Sequence, residues 1–204
     1  MDFTATKSSE LTRLNRKTIN DWYEYIREVI YVECEEERYE KLWGWIYELD
    51  ESYFWPTRIK WKRGRWAGWK TIVFWVLKRW WRVYTEIIPD AKAKSLIPII
   101  RGKINEGSTI NTDGWKSYDG LVDLWFEKHY RVHHWANEFA RWKQHINGIE
   151  SFWSFTKRRF IRFNGIKKEF FPLYLKESEF RYNVRVSWWD LYKNLLKILR
   201  KFNP

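Results

Sequence analysis

Three short apolar runs between residues 46 and 88 constrain this chain more than any other feature. Residues 46–54 (IYELDESYF), 71–77 (TIVFWVL) and 82–88 (RVYTEII) are rich in β-branched and aromatic residues, which predicts strands. Only four residues, 78–81, separate the second run from the third, so those two form a hairpin. The apolar period then changes. Residues 91–104 place Leu96, Ile97, Ile100 and Ile104 on one face of a helix. A fourth strand is expected at 108–112 (STINT), ending at Asp113, then a short helix around 118–124 and a fifth strand at 130–133. Residues 147–163 read as a long basic helix, with two more helices at about 171–185 and 191–201. This order predicts an α/β fold, a mixed five-stranded sheet flanked by helices.

Before the strands, residues 7–14 read as a short helix. Asn15 can cap a second helix at about 17–30, with Ile19, Trp22, Tyr23 and Ile26 on one face. The phrase LNRKTINDWYEYIR has a helix-turn-helix look, with Arg16 and Lys17 as candidate DNA contacts. An ordinary helical hairpin gives the same periodicity. Residues 33–41 form an acidic helix or linker.

Composition narrows the partners. The 204 residues suit one domain with a small appendage. No apolar run approaches the roughly 20 residues that span a bilayer, and MDFTATKSSE is not a signal peptide. Neither a membrane nor a small-molecule substrate is expected. Cys34 is the only cysteine, which excludes an intramolecular disulfide and a multi-cysteine zinc site. A reducing, cytoplasmic setting follows. The net charge of +12 points to a polyanion such as nucleic acid. The segment TRIKWKRGRWAGWK, residues 57–70, carries Arg58, Lys60, Lys62, Arg63, Arg65 and Lys70 among Gly and Trp, a pattern suited to phosphate contact. A solvated basic hairpin is the plain alternative.

Three acids stand out. Asp50 lies inside an apolar strand, where a charge is costly unless paired or metal-bound. Asp113 lies at a strand end, where α/β sheets bind ligands. Glu150 lies near the start of the basic helix. Three such carboxylates can hold two Mg²⁺ ions for phosphoryl transfer. Glu51 points to the opposite face of the strand, so Asp50 is the better candidate of the pair. Lys157 lies two turns beyond Glu150 on the same helix face, within reach of a phosphate.

The blocks ELDESYF, KTIVF, RVYTEIIPDAKAKSLIPII, STINTDGWKSYDGL, HINGIESFWSFTKRRF and YLKESEFRYNVR follow in that order. Over residues 44–186 the chain resembles the DDE-type transposases of bacterial insertion sequences with an ISXO-like catalytic domain. The resemblance implies an RNase H-like fold related to retroviral integrases. It implies a catalytic triad of Asp50, Asp113 and Glu150 holding two Mg²⁺ (or Mn²⁺) ions, with Lys157 matching a basic residue of the family. His145 and Asn147 fall in its H-x-N-x-x-E pattern, positioning Glu150 or contacting DNA. Asn147 could also simply cap the helix. Arg158 and Arg159, beside Lys157, are further candidate DNA contacts. The implied activity is cleavage at transposon ends and strand transfer, by a homo-oligomer on DNA associated with a bacterial nucleoid. An inactive DNA-binding remnant and an RNase H-like nuclease are the alternatives. Three units follow: a helical segment at 1–40, the catalytic domain at 44–186 and a C-terminal helix at 187–204. Relatives usually carry a longer N-terminal region with a cysteine zinc ribbon, so a truncated element is expected.

The 17 tryptophans against 9 glycines do not suit this pattern. KRWWRV, YFWP, GRWAGWK and RVHHWANEFARWK are loop contexts, and tight turns favour Gly. Trp55, Trp61, Trp66, Trp69, Trp75, Trp80, Trp81, Trp125, Trp135 and Trp142 stand where the resemblance expects glycine, with Trp43, Trp45, Trp188 and Trp189 as additions. Trp22, Trp115 and Trp153 fit as tryptophan. The expectation is a gene that uses UGA for glycine, read here as tryptophan, which would impair a protein of this literal sequence. A genuine Trp-rich DNA-stacking surface is the rival.

Overall fold

The computed structural model describes residues 3–37, 45–54, 70–79, 82–113, 128–132, 147–163 and 165–202. The helix expected around 118–124 and the basic residues 57–69 lie outside them. The described residues form helices α1 (Ala5–Thr12) and α2 (Arg16–Glu36), and strands β1 (Ile46–Phe54), β2 (Thr71–Lys78) and β3 (Val83–Ile88). Helix α3 (Ala93–Lys103), strands β4 (Thr109–Asp113) and β5 (Lys128–Val132), and helices α4 (Asn147–Ile161), α5 (Phe171–Val186) and α6 (Leu191–Phe202) follow. The sheet has the order β3-β2-β1-β4-β5. β1, β2 and β3 pair antiparallel, while β4 pairs parallel with both β1 and β5. This is the mixed five-stranded sheet expected from the sequence, with helices packed on it.

The period of two along the strands builds two cores. Tyr47 and Leu49 of β1 join Phe74, Val76, Leu96, Ile100 and Ile110 under α3. Phe54 joins Val73, Trp75, Leu77, Ile149, Phe152, Trp153 and Leu175 under α4 and α5. Glu48, Asp50 and Ser52 therefore share the α4 side of β1 with Phe54, and Glu51 belongs to the other side.

Helix α5 is buried over most of its circumference and holds the edge strand β3. Asn183 accepts from the Val83 N–H at 2.8 Å and donates to the Val83 carbonyl at 3.0 Å. Glu179 accepts from the Thr85 N–H at 2.8 Å and from its hydroxyl at 2.6 Å. The outer backbone groups of an edge strand are thus paired by side chains.

Two helix readings change. Asn15 does cap α2, accepting from the Lys17 N–H at 2.8 Å, but the helix runs on to Glu36 and absorbs much of the acidic stretch. The buried stripe is Ile19, Val29, Ile30 and Cys34, and Trp22 is exposed. Val29, Ile30 and Cys34 form a small core with Ile198 of α6, so the N-terminal segment packs on the C-terminal one.

Two of the suspect tryptophans are informative. Trp188 has φ 57°, the left-handed region, and is 94% exposed. Its N–H donates to the Arg185 carbonyl and the Trp189 N–H to that of Val184, which is the Schellman closure of α5. Glycine usually occupies that position because a Cβ there is strained. Trp75 is wholly buried, with its ring centroid 3.7 Å from Trp153 and 4.4 Å from Phe152. Aromatic pairs favour about 4.5–7 Å. Its indole N–H is buried without a hydrogen-bond partner among the described residues.

Candidate active site

Asp50 lies on the central strand, half-buried. Its Oδ1 accepts from the Glu51 N–H at 2.8 Å, and its Oδ2 accepts from the Trp153 indole N–H at 2.8 Å. One bond comes from its own strand and the other from α4, so both oxygens are oriented.

Asp113 is the last residue of β4, in register with Val132 of β5. The parallel ladder pairs Leu49 with Thr112, and Asp50 and Asp113 are the next residues on their strands. The backbones of the two aspartates are thereby brought level on neighbouring strands.

Glu150 lies exposed in the first turn of α4, where the helix dipole favours a carboxylate. Glu150, Trp153 and Lys157 follow at three- and four-residue spacing, one stripe of the helix. Lys157 is exposed, with its ammonium 5.3 Å from the centroid of the Trp153 ring. Asp50, Trp153 and Lys157 are thus linked in sequence across the β1–α4 contact.

Glu48, which sequence reasoning missed, sets how α4 meets the sheet. It is fully buried two residues before Asp50 on the same side of β1. Its Oε1 accepts from Arg79 Nε at 2.7 Å, and its Oε2 from the Ile149 N–H at 3.0 Å. A carboxylate of the sheet therefore receives a first-turn N–H of α4. Gly148 makes the approach possible. A Cβ there would lie 2.5 Å from Leu77 Cδ2 and 3.0 Å from Glu48 Oε2. The signal in the sequence was a second acid two residues from Asp50, followed much later by a glycine two residues before Glu150.

The candidate DNA contacts divide. Arg16, Lys17, Asn147 and Arg158 are exposed, and Lys70 is half-buried with its ammonium 5.5 Å from the Tyr53 ring centroid. Lys60, Lys62, Arg63, Arg65 and His145 lie outside the described residues. Arg159 is corrected. It is 4% exposed, ion-paired with Glu177 at 3.0 Å and bonded to Ser178 Oγ at 2.6 Å. Its charge serves the α4–α5 junction because three cations converge there: Arg27 and Arg181 also pair with Glu177, at 2.9 and 2.8 Å. Burial pushes the Glu177 carboxyl up, but Arg159, Arg181 and Arg27 outweigh it and hold it below its usual range.

No group of three acidic, histidine or cysteine side chains placed to hold a metal occurs among the described residues, and these do not include the side chain of Asp113. Asp50 and Glu150 are hard oxygen donors of the type that suits Mg²⁺ or Mn²⁺. By donor chemistry, carboxylate oxygens with two acceptor sites each, these residues fit such an ion.

No helix among the described residues is long and apolar enough to cross a membrane. The structure is similar to the catalytic domain of the Mos1 mariner transposase, at 12% identity and a TM-score of 0.43, covering 76% of this chain and 79% of that one. It is also similar to the Mos1 transposase in a paired-end complex with the left transposon end, at 11% identity and a TM-score of 0.35, covering 91% and 73%. An uncharacterized transposase-like protein of Haemophilus influenzae is 44% identical over 102 residues, half of this chain and 81% of that protein. The family model for the ISXO2-like transposase domain matches residues 41–183, most of the chain including the strands and helices that carry Asp50, Asp113, Glu150 and Lys157. By that match this chain belongs to the ISXO2-like transposase domain family.

Proposed function

We propose that this protein is a DDE transposase that cuts DNA at transposon ends and transfers the freed 3′-hydroxyl into target DNA. The observation that carries the reading is the ladder that ends level at Asp50 and Asp113, with α4 tied to the same strand through Glu48 and Asp50. Asp50, Asp113 and Glu150 would hold the divalent ions. When bound, such ions lower the pKa of an attacking oxygen and offset charge on the leaving one. A water oxygen attacks the phosphodiester, one P–O bond forms and the P–O3′ bond breaks. The freed 3′-hydroxyl then attacks a target phosphodiester in line, exchanging one P–O bond for another. Lys157 would hold a phosphate oxygen beside Glu150. Arg16, Lys17, Lys60, Lys62, Arg63, Arg65, Lys70, His145, Asn147 and Arg158 would track the DNA backbone. Two DNA ends imply a homo-oligomer, at work on the nucleoid. The unit boundaries at 1–40, 44–186 and 187–204 remain part of this reading.

The test is Asp113→Asn. Cleavage of a transposon-end duplex in Mg²⁺ should be lost while DNA binding persists. Unchanged cleavage would sink the assignment. Cut ends without joined products would favour a simple nuclease instead.

Glycine as the native residue at the displaced tryptophans belongs to the same reading. Its support is Trp188 at a left-handed helix end and Trp75 crowded, with no partner for its N–H among the described residues. By contrast, the Trp153 N–H has a partner. Reading the codons decides it: UGA is expected at 75 and 188 and UGG at 22, 115 and 153. UGG at all 17 positions would end the idea.

A further inference from the structure

We propose that Trp153 is a positioning residue, whose indole N–H holds the Asp50 carboxylate in the orientation that receives a divalent cation. This rests on the reading of Asp50 as a cation ligand.

The geometry is specific. A carboxylate on a strand can swing about two torsions. The Glu51 N–H fixes one oxygen from β1, and the Trp153 N–H fixes the other from α4, both at 2.8 Å. The indole is a donor only and carries no charge. It orients the carboxylate without cancelling the negative charge that a cation needs, which an arginine or lysine at this place would do. Trp153 is itself held. Its ring packs 5.4 Å from Phe54, and it lies in the core that α4 and α5 share with β2. Glu150 lies three residues before it and Lys157 four residues after it. With the Ile149–Glu48 bond, the same contact ties the strand bearing Asp50 to the helix stripe bearing Glu150. Outer groups that orient a metal ligand typically contribute tenfold to a hundredfold in metal affinity.

The experiment measures Mn²⁺ binding by electron paramagnetic resonance, in the absence of DNA. It compares the full chain, Trp153→Phe, and a chain with benzothienylalanine at position 153. The last keeps the shape of the bicyclic ring and replaces only the N–H with sulfur. Both altered chains should bind Mn²⁺ about tenfold to a hundredfold more weakly. Cleavage by both should recover as Mn²⁺ is raised. If Trp153→Phe fails to fold, the isosteric chain decides, because packing is retained. Equal affinity in the isosteric and unaltered chains overturns the proposal and leaves Asp50 as a ligand. Absence of Mn²⁺ binding by the unaltered chain overturns the metal reading of Asp50 itself, and this proposal with it.

Discussion

Strand β1 has two sides, and they are built on different principles. Toward α3 it offers Tyr47 and Leu49, which meet Phe74, Val76, Leu96, Ile100 and Ile110 in an apolar cluster. The polar tip on that side, the Tyr47 hydroxyl, is satisfied by Asn105 at 2.5 Å, and burial pushes its pKa up to about 12. Toward α4 the same strand offers Glu48 and Asp50, one bonded to a buried arginine and a helix N-terminus, the other to an indole. The first side is held by burial, which has no direction. The second also buries an apolar cluster around Phe54, and adds to it directional bonds between charged or polar groups, each costly to leave unmade. The difference separates what keeps the sheet folded from what holds α4 at a defined place over it.

Asp50→Asn and Leu49→Ala test that separation directly, and Glu177→Gln and Trp188→Gly test the helix α5 that packs beside α4. Asp50→Asn should lower cleavage by at least about a hundredfold, while the melting temperature stays near that of the parent chain. A folded and fully active Asp50→Asn variant would break the comparison, because the α4 side would then be structural only. Glu177→Gln removes the carboxylate on which Arg27, Arg159 and Arg181 converge. It should destabilise by about 3–5 kcal/mol at neutral pH, read from urea unfolding. Its pH dependence has a definite sign. The native pKa of Glu177 is depressed, so its contribution is full above the ordinary glutamate value of about 4.3 and is lost as pH falls through the native value. The unfolding free energy of the parent should therefore fall with acidification in that range, and the slope should be shallower in Glu177→Gln. Identical slopes would remove Glu177 from the account.

Leu49→Ala, one residue from Asp50 but on the α3 side, should cost about 2–5 kcal/mol in stability. Cleavage per folded molecule should stay unchanged. A large loss of turnover in well-folded Leu49→Ala would show that the two sides are coupled. Trp188→Gly should give the smallest effect and the opposite sign, a gain of about 1 kcal/mol from relief of the left-handed backbone. A loss of stability would mean that the exposed indole makes a contribution of its own.

Much of the fold was legible in order. The strand at 46–54 was placed residue for residue, because β-branched and aromatic runs bounded by turns leave little choice. The strand-to-strand interval predicted the β2–β3 hairpin. Asn15 was legible as a cap because capping is local chemistry. The acidic run after Ile30 was harder. Like charges discourage a helix, yet α2 continues through it because Cys34 is buried beside α5 and α6. Trp22 looked apolar and inward by spacing, and it is exposed.

The sequence by itself determined the strands, the alternation that puts Asp50 and Glu51 on opposite sides of β1, and the family blocks that single out Asp50, Asp113 and Glu150. Those features are local, or are matched in order along the chain. Only the tertiary structure decided which charges are consumed. Arg159 and Lys157 are equally basic in sequence, but one is buried against Glu177 and the other is exposed on the stripe beside Trp153. Glu48 and Asp50 are equally acidic and share a side, but one is locked to Arg79 and the start of α4 while the other meets an indole. The reason is physical. A charge acquires its role from the partners that desolvation forces it to find, and those partners lie 31 and about a hundred residues away.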